Sequence, residues 1–68
     1  MRGFIVKVIE NKGFGFIQGD DGNEYFFHSS ALVTATFSHL RVNDKVTFRV
    51  AKSPKGPRAE EVEIDGQG

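Results

Sequence analysis

Two aromatic runs separated by a polar turn constrain the fold of this chain more than any other feature. Residues 12–17 read KGFGFI, and residues 24–28 read EYFFH. Between them, residues 20–23 read DDGN, and these residue types tolerate the positive φ angles of a tight turn. The pattern predicts an antiparallel hairpin of two short strands.

Alternation along this hairpin predicts which aromatic side chains are buried. Successive side chains of a strand point to opposite faces of a sheet. One face carries Ile17, Tyr25 and Phe27, which supply enough apolar surface to form the inward face. The opposite face carries the other aromatic side chains of the hairpin, Phe14, Phe16, Phe26 and His28. We therefore expect these four side chains to be exposed rather than packed in the core.

The segments that flank the hairpin predict one more strand and one helical turn. Residues 3–10, GFIVKVIE, are rich in β-branched residues and predict a strand. Residues 29–32 predict a single helical turn, which Ser29 or Ser30 can cap. In the strand, alternation leaves open which face is buried, since both are mostly apolar: Phe4, Val6 and Val8, or Ile5, Lys7 and Ile9.

The C-terminal half predicts two further strands, at residues 45–51 and 59–64, joined by a loop at 53–57. Their predicted inward side chains are Val46, Phe48, Val50, Val62 and Ile64. Five short strands with no helix longer than a turn predict an all-β fold, a small antiparallel barrel, whose closure removes exposed strand edges. We expect a single domain at residues 1–66, followed by a disordered end at residues 67–68.

Composition excludes several classes of function. The 68 residues include two histidines and no cysteine, which rules out disulfides, thiolate metal sites and a closed structural zinc site. Lys plus Arg equal Asp plus Glu at nine each, which argues against binding driven mainly by phosphate neutralisation. No nucleophile–base pair or carboxylate dyad can be assembled, so we expect neither an enzyme nor a cofactor. Lacking a membrane-length apolar run and a signal-peptide cleavage site, the sequence predicts a cytoplasmic protein.

The two aromatic runs and the segments around them resemble those of the cold-shock domain family. The motifs that carry the resemblance are Lys12–Ile17 and the run from Tyr25 to Leu32, YFFHSSAL. Phe37, the strand at 45–48 and Lys55-Gly56-Pro57 continue it over nearly the whole chain. The resemblance implies a five-stranded OB-type barrel that binds single-stranded RNA or DNA, as an RNA chaperone, with pyrimidine-rich strands as the expected ligand.

The resemblance also implies which side chains bind. Its stacking face corresponds here to Phe14, Phe16, Phe26, His28 and Phe37, and its basic contacts correspond to Lys12 and Lys55. Aromatic rings suit single strands because every base has a π-face, and each stack contributes about 1–3 kcal/mol. Glycine is unfavourable inside a strand, so we expect Gly13 and Gly15 to keep the backbone slim where a nucleotide approaches.

Two positions depart from the family pattern. Lys7 stands where the family usually has an exposed tryptophan, and Ser29 stands where it usually has an aromatic residue. Losing two stacking platforms costs roughly 2–6 kcal/mol of binding free energy. Contacts from Lys7 or Arg58 to phosphates would recover part of this loss, although a solvated Lys7 fits the sequence equally well.

Several alternatives stay open at the level of sequence. Phe37 is either a plug over the end of the core or an exposed stacking group, and His28 is either a stacking group or a strand-end histidine bonded to a carbonyl. The apolar first strand also fits a weak nucleic-acid binder that serves as a protein-interaction or self-association module. A monomer is the expected state, with a strand-exchanged dimer as the alternative.

Overall fold

The fold is a closed barrel of five strands in the part of the chain that a computed structural model describes, residues 1–33 and 37–65. Three single turns of 3₁₀ helix, at Glu10–Lys12, Ser29–Ala31 and Phe37–His39, connect the strands. The predicted domain boundary at residue 66 and the predicted disordered end at 67–68 lie outside the described residues. The strands are β1 Arg2–Ile9, β2 Phe14–Gly19, β3 Glu24–His28, β4 Lys45–Ser53 and β5 Gly56–Ile64.

The order of strands around the barrel is β1-β2-β3-β5-β4. This confirms the predicted five-stranded OB-type fold, but the sheet is mixed rather than purely antiparallel, because β3 and β5 pair in parallel at Phe26 and Arg58. An odd number of strands cannot alternate direction all the way around a closed ring, so one neighbouring pair must be parallel. No helix among the described residues is long and apolar enough to cross a membrane.

The core lies inside the barrel and contains the predicted inward face of the hairpin. Ile17, Tyr25 and Phe27 are buried there, as alternation along β2 and β3 predicts. Among the residues that the structure describes, the buried core consists of Ile5, Ile17, Tyr25, Phe27, Leu40, Val46, Phe48, Ala59 and Val62. Burial of this apolar surface is the main favourable contribution to folding, at about 25 cal/mol per Å².

A bulge in β1 decides which of its side chains point inward. The register between β1 and β2 shifts between Ile5, which pairs with Ile17, and Lys7, which pairs with Phe16. Ile5 is therefore buried while Lys7 is exposed, so neither of the two faces that simple alternation offers is buried as a whole. Since β1 pairs with β2 on one side and with β4 on the other, the apolar strand is not a free edge.

Two predicted inward residues, Val50 and Ile64, are instead partly exposed, at 37% and 36%. The register between β4 and β5 shifts between Thr47 and Arg49, and Glu61 on β5 adopts a φ of 52°. Both residues keep the inward orientation that alternation predicts, since Val50 pairs with the buried Ala59 and Ile64 pairs with the buried Val46. Val50 lies beyond the register shift, where the bulge bends the sheet, and Ile64 is the last residue of β5, and neither is fully covered.

The two glycines of the first aromatic motif have structural roles, which corrects their predicted role in nucleotide approach. Gly15 is buried, and a Cβ atom there would lie 2.5 Å from the backbone oxygen of Lys7 and 2.8 Å from the Phe27 ring. Gly13 follows the turn Glu10–Lys12 with a φ of 73°, a left-handed conformation that glycine adopts without strain. Close packing and turn geometry therefore explain both glycines.

The turn between β2 and β3 is held by the Asp21 carboxylate. Asp21 accepts hydrogen bonds from the Tyr25 hydroxyl, at 2.5 Å, and from the backbone N–H of Asn23, at 3.0 Å. The Tyr25 hydroxyl, followed by the Asn23 N–H, lowers the pKa of Asp21, and the same bond to Asp21 raises the pKa of Tyr25. This local network fixes the predicted turn and, with it, the register of the hairpin.

Candidate nucleic-acid interface

The register of β2 and β3 brings the four predicted aromatic side chains together on the outside of the barrel. Phe14 pairs with His28, and Phe16 pairs with Phe26. The ring centroid of Phe14 lies 6.1 Å from that of Phe16 and 5.5 Å from that of Phe26. The centroids of Phe16 and Phe26 are 5.9 Å apart. We call this surface, made of Phe14, Phe16, Phe26 and His28, the aromatic face.

The three phenylalanines of the aromatic face are half-buried, whereas the sequence predicts them exposed. They belong to the outer surface, as predicted, since none of them is in the buried core. Their partial burial comes from one another: tilted and edge-on packing at these distances covers part of each ring and stabilises the cluster. The rings are therefore held in place before any ligand arrives.

The row that contains Phe16 and Phe26 continues on both sides with a basic residue. Lys7 on β1 pairs with Phe16, and Arg58 on β5 pairs with Phe26. Because directly paired residues project to the same face of a sheet, this row runs Lys7, Phe16, Phe26, Arg58 across four strands. The structure thus places two basic residues that are distant in sequence at the two ends of one row.

The guanidinium of Arg58 is already engaged within the protein. Its Nε donates to Oε2 of Glu60 at 2.7 Å, and its Nη2 lies 2.7 Å from the same oxygen. Both side chains are half-buried, so solvent screens this pair less than a fully exposed one. Arg58 therefore borders the aromatic face as half of an ion pair, a role that the sequence prediction of a phosphate contact did not include.

A groove of about 530 Å³ separates the Phe26 ring from the turn between β4 and β5. The two strands extend further than predicted, so that only Pro54 and Lys55 connect them, and Ser53 Oγ donates to the Gly56 carbonyl oxygen at 2.6 Å. Lys55 thereby lines the same groove as Phe26. The residues that line the groove are Phe26, Ser53, Pro54, Lys55, Gly56, Pro57 and Arg58.

His28 is exposed at the end of β3, and its ring is part of the aromatic face and also accepts a hydrogen bond within the protein. Its Nδ1 accepts from the backbone N–H of Ser30 at 3.1 Å and lies 3.1 Å from Ser30 Oγ. His28 therefore caps the turn Ser29–Ala31, which corrects the prediction that Ser29 or Ser30 caps it. Nδ1 acts as the acceptor, so Nε2 is left to meet a ligand.

Apart from Lys55 in the groove, two predicted site residues, Phe37 and Lys12, lie outside the rows of the aromatic face. Phe37 is half-buried against the core, with its ring centroid 6.0 Å from that of Phe27, which favours the plug of the two alternatives for this residue. Lys12 is exposed at the end of the turn that leads into β2. The direct participation of Phe37 and Lys12 in binding stays a prediction.

Sequence reasoning missed two neighbours of the aromatic face. Ile9, which is half-buried, pairs with Phe14 and adds apolar surface to the row of Phe14 and His28. Glu60 neutralises Arg58, as described above. The alternation that places Lys7 outward also places Ile9 outward, so Ile9 was detectable, whereas the pairing of Arg58 with Glu60 depends on side-chain conformations that a sequence pattern does not specify.

The chain is similar to known proteins of one family. Residues 1–64 match the family model described as the 'Cold-shock' DNA-binding domain. The chain is 48% identical over 52 residues to cold shock protein 1 of Lactiplantibacillus plantarum, covering 76% of this chain and 79% of the relative. It is 36% identical over 64 residues to the cold shock-like protein of Thermotoga maritima, covering 94% and 97%.

A solved structure shares the fold. The drosophila Unr CSD456 structure superposes with a TM-score of 0.72 at 24% identity, over 98% of this chain and 27% of that longer chain. This similarity concerns the architecture of the barrel. The family match over residues 1–64 and the relatives identify the chain as a member of the cold-shock domain family of nucleic-acid-binding proteins.

Proposed function

We propose that this barrel binds a single strand of RNA or DNA across its aromatic face, with bases stacked on Phe14, Phe16, Phe26 and His28. Lys7, Lys12 and Lys55 lie beside the phosphates, and Phe37, although packed against the core, contributes the part of its side chain that stays exposed. The observation that carries the proposal is the cluster of three phenylalanine rings, held 5.5 to 6.1 Å apart on the outside of the sheet.

Stacking rather than charge supplies most of the binding energy in this proposal. Each base stacked on an aromatic ring contributes about 1–3 kcal/mol, and stacking tolerates any base. The chain carries no net charge, and Arg58 is paired with Glu60, so the proposal assigns phosphate contacts only to Lys7, Lys12 and Lys55. The preference for pyrimidine-rich strands is part of the proposal.

The proposed action on RNA is that of a chaperone without catalysis. A protein that binds only the open strand stabilises it by mass action and so shifts the folding equilibrium of a weak hairpin. No step of this action consumes a substrate. We further propose that the protein acts as a monomer in the cytoplasm.

A salt titration tests the proposed balance between stacking and charge. We expect fluorescence-anisotropy titrations with labelled heptathymidine and a matched RNA to give submicromolar to low-micromolar dissociation constants near physiological salt. The proposal has at most three lysines in contact with phosphates, and each such contact on a single strand contributes about −0.7 to the salt dependence. The slope of the logarithm of the association constant against the logarithm of the salt concentration should therefore be about −2 or shallower.

The opposite results would identify the part of the proposal that fails. Absence of binding at tens of micromolar protein would contradict the proposed function for these ligands. A slope much steeper than −2 with tight binding would instead contradict the dominance of stacking.

Releasing Arg58 from its ion pair is expected to strengthen binding. In Glu60→Gln, the guanidinium next to Phe26 is no longer neutralised and can contact a phosphate, which should tighten binding about two- to tenfold at low salt. The salt slope should also steepen by about 0.7. Parallel titrations of the wild type and the variant at several salt concentrations measure both quantities.

Glu63→Gln is the matched control, because it changes the net charge equally and lies on the same strand, opposite Thr47 rather than beside the aromatic face. An equal gain in both variants would mean that overall charge, not Arg58, limits binding.

A further inference from the structure

Phe4 stands on the outer surface of β1, outside the predicted binding site. Gly3 and Ile5 on either side of it are buried, so Phe4 points away from the core, and 37% of it is exposed. In the sheet it pairs with Gln18 on β2 and with Lys45 on β4. A large aromatic side chain is thus displayed on the outer surface of β1, where the core does not require it.

The position of Phe4 is continuous with the aromatic face. Gln18, its partner on β2, is the next outward residue after Phe16 on that strand, since Ile17 between them is buried. On β1, Phe4 and Lys7 are separated by the bulge and by on the order of 10 Å at the rise of a strand. A strand of nucleic acid that passes Phe16 and Lys7 is therefore directed along β1 towards Phe4.

A pocket of about 300 Å³ adjoins the Phe4 ring and is lined by Arg2, Gly3, Phe4, Asp20, Lys45 and Asp65. Its charges cancel, two basic against two acidic, and Arg2 Nε lies 4.0 Å from Asp65 Oδ2. Such a pocket does not favour a phosphate. It suits a flat group with an apolar face and hydrogen-bonding edges, which is the chemistry of a nucleobase.

We propose that Phe4 is an additional base-stacking platform, which extends the single-strand site along β1 by at least one nucleotide beyond Lys7. The inference rests on the proposed function and assigns a new residue to it. It also places an aromatic platform on the strand where Lys7 replaces the family's tryptophan. Stacking at Phe4 lengthens the strand that the protein binds, and leaves the salt slope unchanged because the pocket has no net charge.

A docking site for a second copy of the chain fits this surface less well. A stable interface buries about 800 Å² of each partner. One partly exposed ring beside a pocket of about 300 Å³ does not reach that size, and the charged side chains around it carry both signs. One stacked base, in contrast, matches the dimensions of the pocket.

The test compares short and long oligonucleotides. For an octanucleotide that reaches Phe4, Phe4→Ala should weaken binding about 5- to 140-fold, the range for one lost stack. For a tetranucleotide that the aromatic face alone accommodates, binding should stay within twofold of the wild type. Phe4→Leu should lose as much octanucleotide affinity as Phe4→Ala, because leucine keeps the apolar bulk but has no π-face. Phe4→Trp should bind the octanucleotide at least as tightly as the wild type. The salt slope should be the same in all four proteins.

Several outcomes would overturn the inference. Unchanged octanucleotide affinity in Phe4→Ala would do so. An equal loss of affinity for the tetranucleotide and the octanucleotide would also do so, because it would place Phe4 in the site that both oligonucleotides occupy. Full retention in Phe4→Leu, or a sedimentation shift from dimer to monomer in Phe4→Ala, would indicate a protein-binding surface instead. Failure of the wild type to bind either oligonucleotide would refute the proposed function and this inference together, whereas loss only in aromatic-face variants would refute the inference alone. Thermal melting confirms that each variant is folded.

Discussion

Replacing Phe16 and Phe26 together by alanine is expected to abolish measurable binding of single-stranded oligonucleotides while the barrel stays folded. The two rings face each other across β2 and β3, with centroids 5.9 Å apart, at the centre of the aromatic face. Removing two stacking platforms costs about 2–6 kcal/mol of binding free energy, or roughly 1.5 to 4.5 decades in the dissociation constant.

The fold should survive this double substitution because neither ring belongs to the buried core. Anisotropy titration measures the loss of binding, and far-ultraviolet circular dichroism with thermal melting verifies the fold. The matched control replaces the next outward pair of the same two strands, Gln18→Ala with Glu24→Gln, and should bind within a few-fold of the wild type. Retained affinity in a folded Phe16→Ala/Phe26→Ala variant would contradict the stacking mechanism.

Phe27→Ala, one residue further along β3, is expected to have the opposite consequence and to unfold most of the protein. Phe27 is fully buried, and its ring fills the space beside Gly15 and Phe37. Truncating a buried phenylalanine costs about 3–5 kcal/mol through lost transfer free energy and the cavity that remains. At roughly 0.05–0.15 kcal/mol per residue, a chain of this length has only about 3–10 kcal/mol of stability to lose.

Chemical denaturation followed by circular dichroism measures the effect on the free energy of unfolding. Phe27→Leu, which keeps most of the apolar volume, should remain folded with a smaller loss. If Phe27→Ala melted at the wild-type temperature, the assignment of Phe27 to the core would be wrong. Neighbouring substitutions at 26 and 27 therefore separate function from fold along a single strand.

The sequence predicted the aromatic face well because the information for it is local. Tight-turn residues at 20–23 and the two-residue period of the flanking strands determine which side chains share a face. The same alternation separates Tyr25 and Phe27, which are buried, from Phe26 and His28, which lie outside. No contact distant in sequence was needed for this part of the site.

The roles of individual polar and small residues were harder to predict. Gly15 was expected to admit a ligand, but it is buried against Phe27 and the backbone of Lys7. Arg58 was expected to be available to phosphates, but it is bound to Glu60 at 2.7 Å. Both differences have one cause: the neighbour of each residue is set by packing, and residue type and spacing do not specify that packing.

Taken alone, the sequence determined the local features of this protein: the hairpin at 12–28, its inward and outward faces, and the small barrel that five short strands form. The tertiary structure decided the register shifts in β1 and β5, the parallel pairing of β3 with β5, and the approach of Lys7, Arg58 and the Pro54–Lys55 turn to the aromatic rings. The physical reason is the range of the interactions involved. Alternation and turn chemistry act between adjacent residues, whereas bulges and barrel closure depend on the pairing of strands that are distant in the chain.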